Sequence, residues 1–247
     1  MQKTIDSLPK PVLHHIQHLE RMRRDFVANV SHELRTPLTV IHGYLEMLIA
    51  TQYDSNLKKI FNQLFAQTTR MQNLIADLLL LSSLESDELQ TAANLDNCVN
   101  VYKLLKVILL EAKALSKNTH KFIFHVDKSV SINGNENELR MLFSNIIFNA
   151  VKYTPQGGSI QILWKKQGRK AIFEVADSGI GIEKEHLPRL TERFYRVDKA
   201  RSRQSGGTGL GLAIVKHILI RHQGELKIQS EPNKGSKFKC IFNLRES

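Results

Sequence analysis

The sequence predicts an α+β protein in two parts. The first is an antiparallel two-helix hairpin that needs a second copy to make a four-helix bundle, and the second is a layer of helices on a mixed sheet. Three observations predict this. Apolar residues recur every three or four positions through the first third of the chain, which is the period of a helix buried on one side. That period stops around Ser86 to Asp96, where polar residues accumulate. Beyond it, short runs rich in β-branched and aromatic residues alternate with amphipathic helical stretches.

The first helix carries the stripe Val27, Val30, Leu34, Leu38, Ile41, Leu45 and Leu48. At about 100° per residue, His32 falls about 200° from both 30 and 34 and points to solvent. Pro37 offers no N–H to the Glu33 carbonyl, so a bend is expected beside the histidine. The stripe also slips out of heptad register here, a stutter. Thr51, Asp54, Ser55 and Asn56 supply a turn and a helix start. The second helix runs from Asn56 to about Leu84 with Ile60, Leu64, Met71, Leu74, Leu78 and Leu81 in its stripe, and Gln67 as its polar position. A lone hairpin cannot cover both stripes, so a homodimer is expected. His14, His15 and His18 have no evident fourth ligand and read as the polar face of a leading coil rather than a metal site. The domain boundaries expected are 1–20 for this coil, 21–86 for the hairpin and 95–247 for the α+β part.

In the second part, helices are expected near Val99–Lys117, Asn135–Tyr153 and Leu210–His222. Strands are expected near Lys121–Val126, Ser159–Lys165, Lys170–Ala176, Leu226–Ser230 and Lys237–Leu244. The short turn Lys166 to Arg169 makes two of them antiparallel neighbours.

Composition removes several function classes. The 247 residues carry a formal net charge of +11, which calls for an anionic partner. Nucleic acid is disfavoured, because no helix-turn-helix, zinc-finger or aromatic-basic signature accompanies the charge. The basic residues gather instead around glycine-rich segments. No run approaches the length of a membrane span, and the start lacks the apolar core of a signal peptide, so no direct membrane contact is expected of this chain. Two distant cysteines, Cys98 and Cys240, suit a reducing, cytoplasmic setting.

Four segments converge on a nucleotide. Asn145, Asn149 and Lys152 share one helical face, where amides and an ammonium suit hydrated Mg²⁺ and phosphate oxygens, with Asn149 as the metal ligand and Tyr153 free to lie against a base. Asp177, Gly179 and Gly181 follow a strand. A carboxylate there can accept the amine of adenine while the glycines let backbone approach the ring. The stretch from Leu190 to Arg203 is dense in arginine, including Arg193 and Arg196, which suits polyphosphate. Finally Gly207, Thr208, Gly209, Leu210 and Gly211 open a helix whose N-terminal N–H groups form an anion site. No βαβ unit with a downstream acid surrounds these glycines, so a dinucleotide fold is a poor match.

Taken in this order behind Ser31-His32-Glu33-Leu34-Arg35-Thr36-Pro37-Leu38, the segments resemble the sensor histidine kinases of two-component systems. The octapeptide is similar to that family's phosphoacceptor box, and the later segments to its N, first glycine, F and second glycine boxes. The wording from Pro188 to Arg203 is similar to the phosphate-regulon branch of the family. The resemblance implies a dimerisation and phosphoacceptor bundle joined to a Bergerat-type α/β sandwich that binds ATP with Mg²⁺. It implies phosphorylation of His32, assisted by Glu33, and transfer to an aspartate of a response regulator. Thr36, in the H-E-x-x-T pattern, implies phosphatase activity toward the phosphorylated regulator. Full-length members are usually anchored in the inner membrane. Gyrase-like and chaperone ATPases of the same superfamily carry Glu where this chain has Asn145, and an amide is no general base for water.

Overall fold

A computed structural model describes residues 31, 34–36, 38–50, 55–86, 97–197 and 208–244. His32, Glu33, Pro37 and Gly207 lie outside the described residues, and so do the predicted bend and the 14–18 histidines. The chain divides into two compact units, Met1–Asp87 and Glu88–Ser247.

In the first unit, helix α1 covers residues 38–50, with 34–36 also helical, and α2 spans Ser55–Ser86. Leu38, Leu45, Ile75, Leu81 and Leu84 are buried. The His42 ring lies 4.2 Å from that of Phe65. Its Nε2 is 3.2 Å from the Thr69 hydroxyl, which itself donates to the Phe65 carbonyl, so the imidazole N–H is the donor between the two helices. Gln67, placed in the α2 stripe by spacing, is exposed. Thr68, one position on, is buried, and its hydroxyl is satisfied locally by the Phe65 carbonyl at 2.9 Å. Ile41, Ile60, Leu64 and Met71 belong to the predicted stripes yet are 45–50% exposed in the single chain.

The second unit is a five-stranded sheet with helices on it. A short pair, β1 (Cys98–Val99) with β3 (Ile132–Asn133), stands apart from that sheet. The sheet contains β2 (Lys121–Val126), β4 (Ser159–Gln167), β5 (Lys170–Asp177), β6 (Glu225–Glu231) and β7 (Gly235–Asn243) in the order β2-β4-β5-β7-β6. β2 runs parallel to β4 and every other pairing is antiparallel. The hairpin between β4 and β5 is tighter than the predicted four-residue turn. Gln167 pairs with Lys170, leaving only Gly168 and Arg169, and Gly168 has the positive φ of +59° that such a loop requires.

Three helices, α3 (Val101–Leu115), α4 (Glu136–Tyr153) and α5 (Gly211–Arg221), cover one face. α4 packs on β4 and β5, and α3 and α5 flank it. The α4 start is fixed from two sides. The Asn135 side chain accepts the N–H groups of Asn137 and Glu138, and acidic Glu136 and Glu138 sit in the first turn. From α5, buried His222 donates Nδ1–H to the Ile218 carbonyl at 2.9 Å and accepts the Asn135 N–H on Nε2 at 3.2 Å. Both nitrogens are thus used by the neutral ring, and burial holds its pKa below the ordinary histidine value. Beneath α4 the rings of Phe143, Trp164, Phe173 and Phe242 cluster, with Phe143 and Phe173 centred 4.5 Å apart. The buried Trp164 indole keeps its hydrogen bond to the Val130 carbonyl at 3.0 Å. This is the α+β architecture the sequence predicts, with the parallel β2–β4 pair and the 3₁₀ turn Lys184–Arg189 as features that spacing did not reveal.

Candidate nucleotide site

A cavity of about 260 Å³ opens beside the C-terminal half of α4. α4 contributes Asn145, Asn149, Lys152 and Tyr153, which one face of a helix brings together as their spacing predicts. The Asn145 side chain is fixed, its amide N–H donating to the Met141 carbonyl at 2.9 Å. Its Oδ1 occupies the space where a Cβ at Gly211 would stand, so glycine is needed there for α5 to approach α4. The Lys152 ammonium sits 5.1 Å from the centre of the Tyr153 ring. Burial pushes the Tyr153 phenol pKa up, while the charge of Arg196, another lining residue, pulls it down.

Asp177 ends β5 and is half-buried. Its Oδ1 accepts two backbone N–H groups, from Gly179 at 2.8 Å and from Ser236 at 3.2 Å. Burial outweighs these bonds and raises the carboxyl above the usual carboxylate range. Asp177 is not itself part of the cavity wall. Through Oδ1 it holds the N–H of Ser236, which does line the cavity. Gly179 is equally set back, since a Cβ there would meet the Tyr153 carbonyl at 2.5 Å. Gly181 lines the cavity with φ +67°, its missing side chain aimed at the Glu231 carbonyl. A Gly181→Ala change should therefore cost about 2 kcal/mol or more, from the left-handed backbone and the clash together. Urea denaturation of the variant checks this, and a loss below about 0.5 kcal/mol would mean the loop yields freely.

The second glycine segment closes the cavity from the other side. Thr208, Gly209 and Gly211 line it. Gly209 has φ +76° and accepts the Phe194 N–H at 2.9 Å. α5 begins with no side chain capping its first turn, while the Thr208 hydroxyl accepts the Leu210 N–H at 3.2 Å. A helix start of this kind leaves N–H groups for an anion. Leu210, predicted among the ligand contacts, is instead a core residue with 0% exposure, because the turn aims its side chain inward under α5. Arg193 is exposed and off the cavity wall, whereas Arg196 is on it. Lining residues given no individual role from the sequence are mostly apolar: Ile180, Ile182 and Leu190 line the cavity, as do Val197, Leu212 and Phe238. Tyr195 joins them, and it stood within a segment already singled out, whereas Ser236 and Phe238 reach the site only through the pairing of β7 with β5. In the first unit, Thr36 is exposed on its helix.

Comparison with known proteins identifies the family. Residues 134–246 match the family described as histidine kinase-, DNA gyrase B-, and HSP90-like ATPase, and residues 22–87 match the His Kinase A (phospho-acceptor) domain. The chain belongs to the sensor histidine kinases. It is 52% identical over 231 residues to the phosphate regulon sensor protein PhoR of Pseudomonas aeruginosa, covering 92% of this chain and 51% of that protein. The PhoR of Haemophilus influenzae is 39% identical, with 92% of this chain and 53% of the relative covered. The chain thus spans about half the length of the curated relatives it matches. Among solved structures, full-length ShkA in complex with AMPPNP shares the fold with a TM-score of 0.71 at 24% identity, covering 90% of this chain and 47% of that one. No helix among the described residues is long and apolar enough to cross a membrane.

Proposed function

We propose that this chain is the kinase portion of a phosphate-responsive sensor: it transfers the γ-phosphoryl group of ATP to His32 and then to an aspartate of a response regulator. The observation that carries this is the cavity whose wall joins Asn149, Lys152 and Arg196 to the uncapped start of α5. The lining thus combines cations and donors for a triphosphate with apolar residues suited to a base. On this reading adenine sits against Ser236, and the Asp177 carboxylate oxygen that is not held by Gly179 and Ser236 reaches past it to accept the amine. The Nε2 of neutral His32 attacks the γ-phosphorus in line and ADP leaves, while Glu33 hydrogen-bonds Nδ1–H and keeps the ring oriented. Asn145 gives no base to activate water, which favours transfer to a protein nucleophile.

The donor set fits Mg²⁺, since Asn149 offers a hard amide oxygen inside the cavity and this ion keeps most of its waters and phosphate ligands. When bound it would neutralise charge on the phosphates. The homodimer is supported by the stripe residues left exposed on α1 and α2, which a second hairpin would cover. We place this portion in the cytoplasm.

Incubation with γ-labelled ATP tests the proposal. Phosphate should appear on the chain in acid-labile form and pass quickly to one regulator of a panel. Rapid, steady ATP hydrolysis by residues 95–247 alone would favour a gyrase-like ATPase instead. Thr36, exposed one turn after His32, is positioned in sequence to orient a water on the phosphorylated regulator. Thr36→Ala should slow regulator dephosphorylation about tenfold or more and spare autophosphorylation, within the range of losing one orienting hydrogen bond. Equal loss of both activities would count against this role.

A further inference from the structure

We propose that His186, outside the segments that resemble the kinase boxes, is a positioning residue for the nucleotide, acting through Tyr195. The inference rests on the cavity being the ATP site. His186 lies in the 3₁₀ turn Lys184–Arg189, with its side chain 23% exposed. Its Nδ1 is 2.7 Å from the Tyr195 hydroxyl. The Glu185 carboxylate lies 3.7 Å from Nε2 and favours the ring proton on that side. Nδ1 is then the acceptor and the phenol O–H donates to it.

The ring of Tyr195 is gripped as well. The Arg189 guanidinium stacks 4.2 Å from its centre, and the same guanidinium donates from Nε to Glu192 at 3.1 Å. Phe194 just before it adopts φ +61° and turns its own ring outward, 56% exposed. The chain reversal therefore sends Phe194 to solvent and Tyr195 to the cavity, followed directly by Arg196 and Val197 on the same wall. Holding the phenol from behind fixes the backbone that carries Arg196. Without it, the wall must be ordered at the moment the nucleotide binds, and that cost appears as lost affinity rather than slower chemistry.

The test uses the full chain and four variants: His186→Ala, Tyr195→Phe, both together, and His186→Asn. Calorimetric Kd for ATP and the kcat and KM of autophosphorylation are measured for each. His186→Ala and Tyr195→Phe should each raise Kd and KM about five- to tenfold, the worth of one hydrogen bond, with kcat within about twofold. The double variant should be no worse than either single one, because both remove the same bond. His186→Asn, whose amide oxygen falls near the position of Nδ1, should recover most of the affinity. Tyr195→Phe keeps the ring and its stack on Arg189, so it remains informative should His186→Ala fold poorly. Unchanged affinity in Tyr195→Phe, multiplying effects in the double variant, or a fall in kcat matching that in kcat/KM would each overturn the proposal. A wild-type chain that bound no ATP would sink the kinase reading first, and this inference with it.

Discussion

His32→Ala should abolish phosphate incorporation from labelled ATP, by about 10³-fold or more, and leave ATP affinity unchanged. The size follows from removing the nucleophile itself, for which neither Glu33 nor a water can substitute in an in-line transfer. Unchanged affinity follows from the division of labour. Every described residue lining the nucleotide cavity belongs to the second unit, beyond Glu88. Acid-labile label persisting on the variant would assign the phosphoacceptor elsewhere. A large loss of ATP affinity would place the histidine within the binding site rather than at the receiving end.

Asp177→Asn should weaken ATP binding by about 10- to 100-fold, the usual worth of a hydrogen bond to a charged group. The amide can still accept from Gly179 and Ser236, so the backbone it organises is kept, but it presents an N–H where the adenine amine needs an acceptor. The same carboxylate gives the site a pH signature. Burial raises its pKa in the empty unit. ATP affinity should therefore fall on acidification at a higher pH than an ordinary carboxylate would cause, as protonation removes the acceptor. Stability of the empty unit runs the other way. A raised folded-state pKa contributes stability that is complete below the ordinary aspartate value and is lost as pH rises through the raised one. Calorimetry and thermal melts across that range should show the two slopes with opposite sign, and both should flatten in Asp177→Asn. An affinity independent of pH in the native chain would remove Asp177 from adenine recognition.

Much of this was legible in the sequence for a physical reason. Helix period and capping are local, so α4 and α5 fall where Asn135 and the glycines before residue 211 predict them. The same periodicity put Asn145, Asn149 and Lys152 on one face, and the structure brings them together around one cavity. What escaped was what depends on distant pairing. Ser236 meets Asp177 because β7 docks beside β5, 59 residues away in sequence. The parallel β2–β4 contact has no turn to announce it. Leu210 was misplaced because a glycine-rich segment suggests backbone open to a ligand, while one apolar side chain within it is enough to anchor the segment to the core. Gln67 is exposed together with Leu64 and Met71 of the same stripe, because heptad spacing marks a face that a neighbour must cover and not what covers it.

The order of the sheet has a consequence for synthesis on the ribosome. Among the described strands β7 comes last in the sequence, yet it lies between β5 and β6, and β6 has no other neighbour there. The Asp177 carboxylate and the cavity floor likewise wait for Ser236 and Phe238. While the growing polypeptide lacks residues 235–243, β5 has no partner on one side, β6 has nothing to pair with, and the nucleotide pocket is unfinished. Competence to bind ATP thus arrives as a late, cooperative event rather than accumulating strand by strand.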